Sequence, residues 1–475
     1  MAMNAHDYIA TLVEKGRKAQ AVAENFAQED CELLTGAIAY GLTKPELAKK
    51  WAEMLVAEGK MGIAEDKIGK IYGKVKGAYK QMKGKQSVGM LEKNEDTGME
   101  KWAKPMGVVG GIMPVTNGEA TPIVKSMMAL KTRNAIILAP HPRAKETCKA
   151  IVTEIRRIID KLGYPADLVQ AIEPEMVNFE TSGELMAQVD FIVATGGEGL
   201  VKAAYSSGTP AIGVGVGNCV SVVDGNWPMK DTVADIIKSK IYDNATSCST
   251  ENNIVVFESC YDEFIAEFEK QGGYVCKDGS EEKAKLQKTI WPDAPKDHKI
   301  NRAIVAQNAE TIAKLADLDV PAGTKVLAAE EPNGFGNEHP FTGEKLSPVS
   351  GIIKCKDDIN DAIAKINGCL DYMGKGHSCG IHTNKREHID ALAAQVPVTK
   401  VVINQPQCLT NSGGWNCGFP VTMSLGCGTW GGNSVSHNAT WRDLLNFTYV
   451  SHKIPNWQPK DEILFDADVR AKVDA

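Results

Sequence analysis

The chain has 475 residues, 43% hydrophobic and 24% charged, with a formal net charge of −7. That length supports a large core divided over two or three domains, and the mild acidity argues against a nucleic-acid partner, which calls for a basic excess. No apolar run approaches the roughly 20 residues of a membrane helix, and the N-terminus has no signal-peptide pattern, so a cytoplasmic protein without a membrane partner is expected.

Taken in chain order, the first eighty residues read as amphipathic helices. Ile9, Leu12 and Val13, then Ala19, Val22 and Phe26, supply the apolar face. From about residue 105 short β-branched runs alternate with helices: GVVGGIMP (107–114), AIILAP (135–140), DLVQAI (167–172), FIVATG (191–196) and AIGVGV (211–216). The stretch 143–163 between two of them repeats isoleucine at helical spacing. Such alternation predicts a mostly parallel sheet covered by helices on both faces. The rhythm resumes with NIVVF (253–257), a helix over CYDEFIAEFEKQGG, and strands at TKVLAAE (324–330), SGIIKC (350–355), SCGIHT (378–383) and KVVINQ (400–405). Residues 404–450, rich in Gly, Asn, Ser and Trp, suggest tight loops rather than a third core.

Five motifs carry potential chemistry. Gly196, Gly197 and Gly199 follow a strand and open a helix, the placement a pyrophosphate-binding turn requires, although the spacing is not GxGxxG. Gly213, Gly215 and Gly217 alternate, leaving one strand face bare for a ligand or for another stretch of backbone. Asn117 stands between a strand and a helix, where it either caps the helix or aims its amide at a developing oxyanion. GHSCGIHTN (376–384) gathers His377, Cys379 and His382, but no second cluster completes a ligand set and no metal is expected. Cys248 lies in DNATSCSTEN, polar on both sides; the residues alone leave it between a packed thiol and a nucleophile on a loop. The other eleven cysteines are scattered without a CxxC pair, as in a reduced intracellular enzyme.

Together GVVGGIMPVTN, ALKTRNAIILAPHPRAK, ATGGEGLVKAAYSSGTPAIGVGVGN, SCSTENN, GEKLSPV and LGCGTWGGNSVSHN resemble, in order, the CoA-acylating branch of the aldehyde dehydrogenase superfamily. The resemblance implies an α/β fold with a Rossmann-type cofactor domain (1–243), an α/β catalytic domain (244–430) and a C-terminal oligomerisation and substrate-lining segment (431–475). A hairpin near 86–104 would complete the oligomerisation arm, and a homodimer or homotetramer is implied. Carried over by motif, Cys248 is the nucleophile, and Asn117 with the Cys248 backbone N–H holds the oxyanion. The cofactor, NAD or NADP, falls to Gly197, Gly199, Pro140, His141, Arg143, Gly215 and Glu344. Arg143 stands where NAD-preferring relatives carry an acidic residue, so a 2′-phosphate can be accommodated and the choice between the two stays open. Coenzyme A is the expected acyl acceptor, because the stretch GVGNCV lacks the water-activating glutamate of hydrolytic relatives. The tail from Trp430 to Pro455 resembles acylating sulfoacetaldehyde dehydrogenases. This implies sulfoacetaldehyde as substrate, with acetaldehyde or another short aldehyde as the alternative, and Trp415, Asn416 and Arg442 as candidates for a sulfonate.

Overall fold

The computed structural model describes residues 4–455 and 458–475. Four helices precede the first strand: α1 (Ala5–Ala23), α2 (Gln28–Leu42), α3 (Pro45–Gly59) and α4 (Ala64–Met82). Ile9 and Val13 face inward from α1, whereas Val22 is 49% exposed, and Phe26 is buried beyond the helix end. A fifth helix, α5 (Thr121–Lys131), is buried along its whole length.

A hairpin of β1 (Gly89–Asn94) and β2 (Met99–Pro105) comes next. Five parallel strands follow: β3 (Val108–Ile112), β4 (Ala135–Ala139), β5 (Val169–Ala171), β6 (Phe191–Thr195) and β7 (Ala211–Val214), in spatial order β5-β4-β3-β6-β7. Seven more parallel strands build a second sheet: β8 (Cys219–Val223), β9 (Glu251–Phe257), β10 (Gly273–Cys276), β11 (Val326–Glu330), β12 (Val349–Cys355), β13 (Cys379–His382) and β14 (Val401–Ile403). Their order is β10-β11-β12-β9-β8-β13-β14. Finally β15 (Leu445–Ser451) pairs antiparallel with β2, so the hairpin and the C-terminal segment form one three-stranded sheet. Strands such as β4, β8 and β9 are buried throughout. This is why they read as continuous apolar runs: helices cover both faces of a parallel sheet.

The change of sheet falls at residues 215–218, not at 243. β8 pairs with β9 and β13, and the helix Met229–Ile241 packs Val233, Ile236 and Ile237 into the core of the second sheet. The link is only four residues long, so the chain leaves one sheet and enters the other without turning back. The later boundary at 430 is crossed as well. Val421 and Met423 join the first core together with Trp441 and Leu444.

The carboxyl end of one sheet and the N-terminal end of the other are joined at this link. The first sheet reverses its order between β3 and β6, the switch point at which doubly wound sheets open a crevice at their carboxyl ends. Lys125 bridges that point from below, donating to the carbonyls of Ile112 and Val193 at 2.7 and 2.8 Å. Facing it are the N-terminal ends of β8, β9 and β13, which begin just after Gly217, Cys248 and His377.

Candidate active site

Cys248 stands on a loop whose backbone is strained. Asp243, Asn244 and Ala245 have φ of 50°, 51° and 59°, three successive non-glycine residues in a region that disfavours side chains by roughly 1–2 kcal/mol each. Side-chain bonds hold them there. Asp243 accepts from the Ile63 backbone N–H at 2.7 Å, from Lys67 and Lys70 at 2.8 and 2.7 Å, and from Thr246 Oγ1 at 2.6 Å. Burial alone pushes the Asp243 carboxyl up, but the Lys70 and Lys67 ammonium groups outweigh it and hold it below the carboxylate range. Glu119, fully buried, is 3.7 Å from Lys70 and completes the cluster.

The same lysine fixes Asn117. Lys70 Nζ donates to Asn117 Oδ1 at 2.7 Å, while α5 starts at Thr121 without a side-chain cap. Asn117 is therefore no helix cap. With its oxygen occupied, its Nδ2 is directed to donate, having only Thr116 Oγ1 at 3.3 Å. The Cys248 backbone N–H has no acceptor among the described residues. Both groups assigned to an oxyanion thus retain free donors.

On its other side the thiol meets a histidine. Cys248 Sγ is 3.2 Å from His377 Nε2. The opposite ring nitrogen, Nδ1, is 3.0 Å from Ser378 Oγ and 3.4 Å from Cys219 Sγ. Asn411 Nδ2 donates to Ser378 Oγ at 3.0 Å, and Ser378 Oγ is 2.9 Å from Cys219 Sγ. In one consistent proton assignment Ser378 accepts from Asn411 and from His377 Nδ1–H and donates to Cys219, which leaves Nε2 as the acceptor for the Cys248 S–H. Burial and then the Lys400 ammonium draw the imidazole down to about 3. Burial, with Glu344 nearby, pushes the Cys248 thiol well above its ordinary value. The pair therefore rests neutral, and the sulfur becomes nucleophilic only as Nε2 removes its proton. His377 belongs to the trio that suggested a metal in the sequence; its role beside Cys248 was missed there. Cys379 and His382 continue into β13 instead, and Cys219 lies behind the ring.

Gly217 lies in the link after β7 rather than on a strand face. A Cβ there would overlap the Cys248 carbonyl, so the backbone crosses directly over the Cys248 loop. Gly215 lies in ordinary contact distance of Gly431 and Asn433.

A sequence profile of the aldehyde dehydrogenase family matches residues 50–418. The chain belongs to that family. A sulfoacetaldehyde dehydrogenase from an Acholeplasma species is 39% identical over 458 residues, covering 96% of this chain and 93% of the relative. An acylating sulfoacetaldehyde dehydrogenase from Bilophila wadsworthia is 39% identical over 455 residues, covering 96% and 97%. In fold, an acetylating aldehyde dehydrogenase from Geobacillus thermoglucosidasius superposes with a TM-score of 0.89 at 32% identity, over 96% of this chain and 98% of the other.

In this aldehyde dehydrogenase the helices that follow β4 and β6 both start at the carboxyl end of the first sheet, and they differ. The helix Lys145–Lys161 has its N-terminus filled by Glu58, which accepts from the Glu146 and Thr147 backbone N–H groups at 3.0 and 2.9 Å. The helix Glu198–Ser206 begins at Gly197 with open space around both Gly197 and Gly199. Of these two, only the second leaves room for an anion at its N-terminus. Pro140 is buried at the end of β4, followed by half-buried His141 and exposed Arg143, whose guanidinium donates to the Gly59 carbonyl. Glu344 is half-buried near Cys248, with its Oε1 buried and unpartnered, and desolvation raises its carboxyl to about 8.

The sulfonate candidates fare differently. Trp415 is 60% exposed with Lys80 over its ring, and Asn416 beside it is also exposed. Arg442 stacks on Trp441 at the root of the three-stranded sheet. It is not among the groups brought to the thiol, because the chain turns there toward β15.

Proposed function

We propose that this enzyme oxidises sulfoacetaldehyde with NAD(P)+ and coenzyme A to sulfoacetyl-CoA, and runs the reverse reaction, through a thioester on Cys248. The observation that carries the reading is the contact of Cys248 with His377, whose far ring nitrogen meets Ser378 and, through it, Asn411.

As the sulfur adds to the aldehyde carbon, His377 Nε2 takes the thiol proton, and Asn117 Nδ2 with the Cys248 N–H holds the resulting alkoxide. NAD(P), when bound, supplies the hydride acceptor; its pyrophosphate suits Gly197 and Gly199, its nicotinamide ribose Glu344 and its adenosine side Pro140, His141 and Arg143. Loss of hydride from the thiohemiacetal carbon leaves an acyl group on Cys248. His377, having passed its first proton to solvent, takes the proton of the CoA thiol, and that thiol displaces Cys248. No carboxylate stands in residues 211–223 to activate water instead. The two similar relatives named for sulfoacetaldehyde support the substrate. All twelve cysteines are free thiols, which suits a reducing cytoplasm. No helix among the described residues is long and apolar enough to cross a membrane. Exposed Trp102, Tyr449 and Val450 on the three-stranded sheet suit pairing of subunits into a dimer or tetramer.

The test is NAD(P)+ reduction with sulfoacetaldehyde and with acetaldehyde, each with and without CoA, in wild type and Cys248→Ala. CoA-dependent turnover that vanishes in the variant is expected, with sulfoacetaldehyde the faster substrate. Surviving activity in the variant overturns the mechanism, and faster acetaldehyde oxidation overturns the substrate.

A further inference from the structure

The face of α4 that holds the Cys248 loop carries one more lysine than the loop uses. Lys67, Lys70 and Lys74 recur at spacings of three and four and share that face. Lys67 and Lys70 are neutralised by Asp243 and Glu119. Lys74 has no carboxylate partner among the described residues. Its ammonium donates to the Ser412 carbonyl at 3.2 Å and to that of Gly413 at 2.6 Å, which leaves the third N–H free. The segment it faces is devoid of acid: residues 391–442 contain neither Asp nor Glu.

Its surroundings tie Lys74 to the reacting groups from two directions. Asn411, immediately before Ser412, donates to Ser378 behind the His377 ring. Cys408, three residues before Asn411, is the foremost ionisable neighbour of Lys74. One turn back on α4, Lys70 holds Asn117.

Other buried lysines differ from Lys74 in their access to solvent. Lys125 and Lys345 also grip pairs of carbonyls, but at 2% and 0% exposure they are sealed from any ligand. Lys74 keeps part of its surface open to solvent although atoms crowd around it. That crowding draws its ammonium down to about 8, a shift that an arriving anion would reverse.

We propose that Lys74 receives the anionic end of the substrate, making the enzyme selective for short aldehydes that carry a sulfonate over uncharged ones. The inference rests on the acylating, sulfonate-directed reading above and assigns that specificity to a residue. A hydrogen bond to a charged group is worth about 10- to 100-fold in binding, and the loss should appear for the anionic substrate alone.

The experiment compares wild type, Lys74→Met and Lys74→Arg with saturating CoA and NAD(P)+, using sulfoacetaldehyde and acetaldehyde, with ethanesulfonate as a competitor of acetaldehyde. Expected in Lys74→Met is a rise of about 10- to 100-fold in KM for sulfoacetaldehyde, unchanged acetaldehyde kinetics and lost inhibition by ethanesulfonate. Lys74→Arg should restore much of the sulfoacetaldehyde KM. Acetaldehyde turnover reports in each variant that the site has folded; a variant without it is replaced by ethanesulfonate inhibition of the wild type, whose absence overturns the proposal. Equal losses for both aldehydes make Lys74 a loop strut and overturn it too. Wild type that oxidises acetaldehyde but not sulfoacetaldehyde overturns the substrate reading and this inference together. Sulfoacetaldehyde turnover unaffected by Lys74→Met overturns this inference alone.

Discussion

The two flanks of the Cys248 loop are built from opposite materials. On one side stand a thiol, an imidazole, a hydroxyl and an amide, all neutral at rest and joined by bonds of 2.9–3.4 Å. On the other, two lysines and two acids are buried together around Asp243. The neutral flank contains the groups that must change protonation during turnover. The charged flank contains none of these, and its strong, fixed bonds hold three left-handed residues and the Asn117 amide in place. Chemistry and geometry are thereby separated, with each flank removable on its own.

The largest effect should come from the neutral flank. His377→Ala removes the base for both half-reactions, and general-base catalysis contributes about 10²–10⁴-fold. A fall of that size in kcat is expected. Single-turnover NAD(P)H formation without CoA should fall with it, since the first proton transfer also needs the ring. A loss confined to the CoA-dependent step would separate His377 from the first step and break the comparison.

The charged flank should respond in stability instead. Asp243→Asn leaves two buried ammonium groups short of a carboxylate, and breaking a buried pair costs about 3–5 kcal/mol. Denaturant unfolding should show that loss, accompanied by weaker catalysis as Asn117 and the Cys248 loop relax. A variant of unchanged stability with a shifted pH–rate profile would mean that Asp243 belongs to the chemistry after all.

This division also explains what the sequence revealed. Strands such as β4 and β9 were legible because a doubly covered parallel sheet demands unbroken apolar runs. β8 was not, although CVSVV is equally apolar, because the glycines before it read as a continuation of β7. β10 is four residues long and hides behind the glycine pair that closes the preceding helix. At the site, Cys248 and Asn117 stood out as residues of polar loops beside strands, but the residues alone left their roles open, and only the family resemblance assigned them. His377 was visible as a histidine, but its partner lies 129 residues away, a separation no local pattern encodes. Lys67, Lys70 and Lys74 were the least legible. In KIGKIYGKVKGAYK they have the look of a solvated helix face, and only the carboxylates and carbonyls folded against them show otherwise.

The smallest effect lies at Glu344, between the two flanks. Burial lifts its carboxyl to about 8, although Lys240, the Gly217 N–H and Lys345 pull the other way. The folded pKa stands above the unfolded value of 4.5, so the folded state holds its proton the longer. The stability this contributes is complete below about pH 4.5 and is lost as pH rises through about 8. Glu344→Gln removes that loss, so melting temperatures of variant and wild type should diverge in the variant's favour from pH 5 to 8. Glu251, raised to about 7 by burial, has the same sign and remains in the variant, so the decline should shrink rather than disappear. A difference independent of pH would show Glu344 already ionised beside the thiol. The neutral flank would then carry a resting negative charge, and the thiolate would form against it.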